Sequence, residues 1–173
     1  MKKNDLEIHQ RHFLKSKDRK ELIEKLKNKI PEETVEEILG KKGKIEWIKV
    51  GDHEELYAVN DVLTFWINDE KIIPLLSYLK EHEDIDWKSV TVDKGAIRFM
   101  SKGADVMRPG IIEIDEDIEK EDIVLVKDPI HGKVLSVGEA LYDAEVMERM
   151  DRGKVIECVH SLQDKIWDFS HNF

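Results

Sequence analysis

The strongest constraint on the fold of this chain is a succession of short apolar runs, separated by turn residues. The runs begin near residue 45 and dominate the sequence after residue 90. Runs of this kind, rich in valine, isoleucine and aromatic residues, predict β-strands. They cover residues 45–50, 56–59, 62–67, 111–114, 123–126, 134–141, 154–160 and 166–169. Gly138 and Ala140 leave room for a tightly curved sheet. Many short strands with few helices predict that the second half forms a small, partly open barrel.

Helical periodicity is found mainly in the first half of the chain. After an initial strand at residues 6–14, Ser16 is predicted to cap a helix. The apolar face of that helix holds Leu22, Ile23, Leu26 and Ile30. A second helix is expected to end at Gly40. A third, apolar helix is predicted over residues 72–79, with Pro74 tolerated because it falls in the first turn.

The two patterns divide the chain near residue 89. No stretch rich in proline, glycine and serine separates the halves, so we expect them to pack against each other and not to be loosely tethered. The predicted fold class is α+β. An α+β domain over residues 1–89 is expected to precede a β-rich domain with short helices over residues 90–173.

The chain is acidic, and its charge is unevenly distributed. Its 173 residues carry a formal net charge of −10, which argues against non-specific coating of nucleic acid or of an anionic membrane. Residues 1–29 nevertheless hold ten Lys and Arg against five Asp and Glu, whereas residues 91–173 hold eleven against eighteen. The basic excess in residues 1–29 is either a contact for nucleic acid or a solvated helix face.

Cysteine content and hydropathy indicate the compartment. The single cysteine, Cys158, allows no intrachain disulfide, which fits a reducing cytoplasm. It lies in an apolar run without an activating neighbour, so we expect a buried structural thiol. No apolar run approaches the length of a membrane span, and the first residues lack the apolar core of a signal peptide. A soluble cytoplasmic protein is therefore expected.

A basic segment precedes a glycine-containing loop in the second half. Lys94, Arg98 and Lys102 recur every four residues, so on a helix they would form one basic stripe. The segment leads to Gly103 and to a loop closed by residues 108–110, where Arg108 adds a fourth cation. These cations, with N–H groups of the loop, offer a cradle for phosphates. A solvated helix that ends at a glycine cap explains the same residues, and both interpretations stay open here.

Acidic and aromatic residues also allow more than one interpretation. Asp105 lies among the cations, so its carboxylate is expected to accept hydrogen bonds from the backbone or from a nucleotide. Residues 115–122 hold six acids and one lysine and are predicted to form an exposed loop. The four tryptophans are either stacking platforms for bases or core residues. Strand-like patterns favour the core for three of them: Trp47, Trp66 and Trp167.

Recognisable catalytic and metal-binding patterns are missing from the sequence. It contains no phosphate-loop lysine motif, dinucleotide-binding fingerprint or nucleophile elbow. His9 and His12 are three residues apart, so on a strand they would point to opposite faces and could not share a metal ion. We therefore predict no catalytic residue, no metal site and no cofactor, and a protein that binds without catalysing a reaction.

Several runs resemble a known family. Residues 92–99 and 101–110 are similar to the first helix and glycine loop of a PUA domain, a small RNA-binding pseudobarrel. Residues 133–140 and 165–169 are similar to the remainder of that domain. Further matches in the first half, at residues 56–60 and 73–76, resemble the pre-PUA domain of the malignant T-cell amplified sequence proteins and their archaeal counterparts. The fused translation factor ligatin carries equivalent domains.

The resemblance implies a fold and a binding site. The second domain would be a mixed β pseudobarrel, with RNA along its first helix and glycine loop. The RNA-binding positions carried over from the family are Lys94, Arg98, Lys102, Gly103, Ala104, Asp105, Met107 and Arg108. Implied partners are tRNA or ribosomal RNA, the small ribosomal subunit, and a partner like the density-regulated protein. Neither catalysis nor a metal is implied.

Three hypotheses for function follow. The first is a non-enzymatic RNA-binding accessory factor for translation initiation or recycling, acting at the small ribosomal subunit or on tRNA. The second is a protein-interaction adaptor that docks the acidic loop of residues 115–122 on a basic surface. The third and weakest is an RNA-modification enzyme or its accessory subunit, because PUA domains often accompany such enzymes.

Overall fold

The first half of the chain is built on a five-stranded antiparallel sheet. A computed structural model describes residues 6–173. Consecutive strands pair in chain order, and their bounds are β1 (Ile8–Phe13), β2 (Ile45–Val50), β3 (Glu54–Val59), β4 (Val62–Asn68) and β5 (Lys71–Pro74). Two hairpins turn tightly through pairs of residues with positive φ, Asn60-Asp61 and Asp69-Glu70. Such pairs match the right-handed twist of antiparallel strands. The predicted strands and the Asn60-Asp61 turn are confirmed.

Three helices accompany this sheet. Helix α1 (Ser16–Lys27) turns Leu22 and Leu26 into the core, as its periodicity predicted. The prediction that Ser16 caps it is wrong, because the N-cap position is Lys15 and no side chain bonds there. Helix α2 (Glu32–Leu39) ends at Gly40, whose φ of 66° confirms the predicted glycine stop.

The third predicted helix, over residues 72–79, is wrong in its first half. Residues 71–74 form β5, so Pro74 lies at the end of a strand opposite Phe65. Only α3 (Leu76–Leu79) is helical. The hairpin turn at residues 69–70 returns the chain along β4, and pairing with β4 outweighs the helical spacing of the leucines and isoleucines.

The second half forms a six-stranded mixed sheet. Its strands are β6 (Ser89–Val92), β7 (Val106–Met107), β8 (Ile111–Ile114), β9 (Ile123–Lys127), β10 (Val134–Ala140) and β11 (Lys154–His160). They lie in the order β7-β11-β10-β9-β6-β8, and only β6 and β9 run parallel. A Cβ atom at Gly138 would collide with the side chain of Ile156 and lie 2.9 Å from the carbonyl oxygen of Glu157. β11 therefore approaches β10 closely at Gly138.

Three short helices complete the second half: α4 (Ile97–Ser101), α5 (Ala144–Arg149) and α6 (Lys165–His171). The strand predicted over residues 166–169 is wrong, because these residues belong to α6. Asp164 is the N-cap of α6, and its carboxylate accepts a hydrogen bond from the backbone N–H of Trp167 at 2.7 Å. Ile166 and Ser170, four residues apart, are buried on one side of the helix.

The predicted acidic loop at residues 115–122 is a loop, but two of its residues are buried. Ile118 packs in the second core, and Asp122 is held by the ammonium group of Lys88 at 2.7 Å. The expectation of a fully exposed loop is therefore wrong at these two positions. Asp115 also anchors the loop, because its carboxylate accepts a hydrogen bond from the N–H of Ser89 at 2.7 Å.

The two halves share apolar packing. Four residues of the second half lie in the core cluster of the first: Leu125, Val134, Val137 and Ile166. The indole N–H of Trp87 donates to the carbonyl of Ile123 at 2.9 Å. The expected close packing of the halves is thus confirmed, whereas the boundary between residues 89 and 90, which falls inside β6, stays a prediction. Within residues 6–173, no helix is long and apolar enough to cross a membrane.

A buried histidine links the halves. His160, at the end of β11, is fully buried, and its Nε2 accepts the backbone N–H of Leu76 at 3.0 Å. Because Nε2 accepts, the ring proton lies on Nδ1, which donates to the carboxylate of Asp164 at 2.7 Å. One imidazole therefore connects the start of α3 to the cap of α6.

Asp164 carries this connection, and its pKa predicts a pH dependence. Burial alone would raise the pKa of Asp164, but the hydrogen bond from His160 and those from the backbone N–H groups of Trp167 and Ser161 lower it below the usual value. The ionised carboxylate therefore stabilises the fold above the usual Asp pKa of about 4, and this contribution is lost as pH falls through the lowered pKa.

We expect Asp164→Asn to lower the free energy of unfolding by about 1–3 kcal/mol near neutral pH. The difference from wild type should shrink on acidification below about pH 4. Urea unfolding across this range measures it. Asp168→Asn, an exposed carboxylate on the same helix, is the matched control. A difference between wild type and Asp164→Asn that does not change with pH would contradict the assignment.

Candidate nucleic-acid interface

The basic segment (residues 94–102) is a 3-10 turn followed by a short α-helix. The turn covers Lys94–Ala96, α4 covers Ile97–Ser101, and Lys102 is its C-cap. Asp93 starts the turn by accepting the N–H of Ala96 at 3.0 Å. The change of helix type interrupts the regular four-residue stripe expected for one continuous helix, because the 3-10 turn winds more tightly.

The two faces of the basic segment have opposite character. Met100 is buried, and Ala96 and Ile97 pack against the second core, as predicted. The three cations of the segment are exposed: Lys94, Arg98 and Lys102. None of them forms an ion pair with another residue in the range 6–173. Their positive charge is therefore presented to solvent.

The glycine loop is held by its own hydrogen bonds. Gly103 has a φ of 90°, which favours glycine, and its N–H donates to the carbonyl of Met100 at 3.0 Å. The N–H of Ala104 donates to the carbonyl of Phe99 at 3.1 Å. These bonds close the C-terminal end of α4. The two N–H groups are thus used inside the fold, contrary to the expectation that N–H groups of the loop contact phosphate.

Asp105 connects the loop to the neighbouring strand. One carboxylate oxygen accepts the backbone N–H of Cys158 in β11 at 2.8 Å. The other lies 3.6 Å from the ammonium nitrogen of Lys154. Asp105 is therefore tied to the sheet, and Lys154 offsets its negative charge.

Arg108 differs from the other three predicted cations. Its side chain is only 17% exposed. Nε donates to the carbonyl of Met147 at 2.6 Å, and Nη1 donates to the carbonyl of Ile111 at 3.2 Å. The guanidinium group also lies 3.9 Å from the carboxylate of Glu148. These contacts hold the loop against α5 and β8, so the Arg108 guanidinium is engaged within the fold, unlike the exposed cations of the basic segment.

Apolar side chains are exposed beside the cations. Met107 in β7 is 50% exposed, and so is Phe99 in α4. The guanidinium carbon of Arg98 lies 4.8 Å from the centroid of the Phe99 ring. Sequence reasoning missed Phe99, although its position out of phase with the buried face of α4 could have revealed it. An exposed aromatic ring next to a cation can stack on a base, and an exposed methionine can pack against one.

The remaining residues that were considered as nucleophiles or as stacking platforms lie in elements of the fold. Burial raises the pKa of the Cys158 thiol to about 11, so it stays protonated at neutral pH. Trp66 and Trp87 are buried, and each indole N–H is already bonded within the protein. Trp167 lies in α6 and not in a strand. Among residues 6–173, no three His, Cys, Asp or Glu side chains are grouped as metal ligands.

Comparison with known proteins identifies both halves. Residues 2–82 match the pre-PUA-like domain family, and residues 88–162 match the PUA domain family. A hypothetical protein of the archaeon Pyrococcus horikoshii has the same fold, with a TM-score of 0.85 and 34% identity. The match covers 93% of this chain and 99% of that one.

Sequence relatives match over nearly the whole chain. An uncharacterized protein of Methanocaldococcus jannaschii is 42% identical over 164 residues, which cover 95% of this chain and 99% of that protein. Translation machinery-associated protein 20 of Saccharomyces cerevisiae is 31% identical, over 95% of this chain and 94% of that protein. The two domain matches and these similarities show that the chain belongs to the family of pre-PUA and PUA proteins that includes translation machinery-associated protein 20 and malignant T-cell-amplified sequence 1.

Proposed function

We propose that this protein is a non-enzymatic RNA-binding accessory factor of translation, acting at the small ribosomal subunit or on tRNA. The observation that carries the proposal is a set of exposed cations, Lys94, Arg98 and Lys102, that lies in the part of the chain matching the PUA domain and has no ion-pair partner among residues 6–173. The names of the relatives support a role in translation. A cytoplasmic location and a partner like the density-regulated protein form part of the same proposal.

The chemistry of binding differs from a simple cradle of four cations. Three side chains, those of Lys94, Arg98 and Lys102, contact phosphates, which set the position of the strand. Met107 and Phe99 offer surfaces for bases. Arg108 and Asp105 keep the loop in place from within. Sequence preference then arises from the bases that fit beside the exposed apolar groups and not from the phosphate contacts.

The number of phosphate contacts predicts the salt dependence of binding. Each contact to a single strand contributes about −0.7 to the slope of log affinity against log salt concentration, so three cations give about −2.1 and four would give about −2.8. With an RNA of about four nucleotides, we expect Arg98→Ala combined with Lys102→Ala to weaken binding and to reduce the slope to about −0.7. Fluorescence anisotropy at several salt concentrations measures both quantities.

The control for this experiment is Lys120→Ala combined with Lys133→Ala, which removes two exposed lysines outside the basic segment. It loses the same charge and should keep the wild-type slope. Unchanged affinity and slope in a folded Arg98→Ala, Lys102→Ala protein would refute the proposed site.

Arg108 is predicted to act on stability and not on the salt slope. Arg108→Ala removes the guanidinium donor to the carbonyl groups of Met147 and Ile111 and its contacts with α5, so we expect the free energy of unfolding to fall by about 1–3 kcal/mol. Arg98→Ala, at an exposed position, should change it by less than about 0.5 kcal/mol. Urea unfolding compares the two. A stable Arg108→Ala protein with a flatter salt slope would instead make Arg108 a phosphate contact.

A role as a protein adaptor is the second candidate. The acidic loop is anchored by Asp115 and Asp122. Besides Asp115, which is bonded to Ser89, it leaves four carboxylates exposed without an ion pair inside residues 6–173: Glu116, Asp117, Glu119 and Glu121. Such a surface suits a basic partner. Purification from extracts treated with ribonuclease separates the candidates, because partners that remain bound favour the adaptor.

A further inference from the structure

A second concentration of positive charge lies on the first half of the molecule. The end of β1, the start of α1 and the loop at residues 40–45 surround a depression of about 420 Å³. We name it the basic groove. Among residues 6–173, its lining contains four cations and no carboxylate: Arg19, Lys41, Lys42 and Lys44. The first turns of α1, which follow the lining residue Leu14 in the chain, carry three exposed lysines against one exposed aspartate: Lys15, Lys17, Lys20 and Asp18.

The absence of carboxylates from this lining is unusual for an acidic chain. The net charge is −10, and several lysines elsewhere lie beside acids, as Lys71 does with Glu139 and Lys165 with Glu54. In contrast, the three lysines of the groove form no ion pair with any residue in the range 6–173: Lys41, Lys42 and Lys44. Like charges held together repel each other, so an external anion is the natural counter-charge.

The loop that carries these lysines has a defined shape. Arg19 donates hydrogen bonds to the carbonyl of Gly43 and, at 3.1 Å, to the carbonyl of Gly40. A Cβ atom at Gly43 would collide with the carbonyl of Leu39, so glycine is required there. The N–H of Lys44 donates to the side-chain oxygen of Asn60 at 3.0 Å. The loop is therefore held from both sides, and its lysines project from a fixed support.

An aromatic ring at the edge of the groove indicates the kind of anion. Phe13 is 57% exposed, and the ammonium nitrogen of Lys44 lies 5.9 Å from its ring centroid. Cations along a groove with an exposed aromatic ring are the arrangement that binds single-stranded nucleic acid, since cations follow the phosphates and the ring stacks on a base. The additional lysines of α1 favour a polymer over a small free anion.

We propose that the basic groove binds the phosphodiester backbone of single-stranded RNA, as a second contact for the RNA that the basic segment holds. This inference rests on the proposed function and adds a binding site on the other half of the chain. Because the two halves share a core, both contacts belong to one rigid support. Simultaneous binding raises the affinity for a long RNA above that of either contact alone, through effective concentration.

The test uses the full chain with Lys41→Glu and Lys42→Glu together. Both lysines are exposed and their side chains make no hydrogen bond within residues 6–173, so the fold should be retained, which circular dichroism checks. With a single-stranded RNA of about 30 nucleotides, we expect at least a tenfold loss of affinity and a salt slope less steep by about 1.4, for two lost contacts. Lys120→Glu with Lys133→Glu changes the net charge equally and should bind nearly as wild type does.

A second variant tests the aromatic contact without changing charge. Phe13→Ala should reduce affinity for the long RNA roughly five- to hundredfold while leaving the salt slope unchanged, since stacking on a base involves no counterion release. An affinity equal to that of wild type in both groove variants would overturn the inference.

The outcomes separate this inference from the proposed function. If the groove variants bind the long RNA as the control does while Arg98→Ala, Lys102→Ala weakens it, the groove is refuted and the proposed function stands. If only the groove variants lose binding, the groove stands and the basic segment is refuted. If the groove variants keep RNA binding but lose binding to vesicles that contain phosphatidylserine, the groove binds a membrane surface and the inference fails.

Discussion

A buried imidazole, set within the apolar core that the two halves share, connects one half to the other. His160 accepts the N–H of Leu76 and donates to Asp164, and Asp164 in turn caps the helix that packs Ile166 into the first core. The ring is fully buried, so replacing it would leave the N–H of Leu76 without its acceptor and remove one of the donors to the Asp164 carboxylate. This contact and the shared core around it fix the position of the basic segment relative to the basic groove.

Local patterns in the sequence predicted most of the fold. All the predicted strands except that over residues 166–169, the Asn60-Asp61 turn and the glycine stop at Gly40 depend on neighbours in the chain and were found. Errors arose where tertiary contacts decide. Pro74 ends a strand because β4 pairs with it, and residues 166–169 are helical because Asp164 caps them. The family resemblance supplied the pseudobarrel, which the spacing of residues alone would have left as a generic small barrel.

Prediction of the candidate sites from the sequence was limited in the same way. Exposure of Lys94, Arg98 and Lys102 was predictable from their phase against Met100. The different role of Arg108 was not, because it depends on carbonyl groups of Met147 and Ile111 that only the fold brings near. The same holds for the basic groove, where residues 13, 19 and 41–44 meet in space. Cations with internal partners support the fold, and those without partners are free for an external anion.

The shared core also limits how this architecture can be reused. Leu125, Val134, Val137 and Ile166 belong to the second half in sequence but pack with the first. A graft of the PUA half onto an unrelated protein would place these side chains in water and invite self-association. An engineer would have to supply a new apolar cover or substitute polar residues at these positions. Natural recombination between relatives faces the same demand, so compatible pairs of halves must be inherited together.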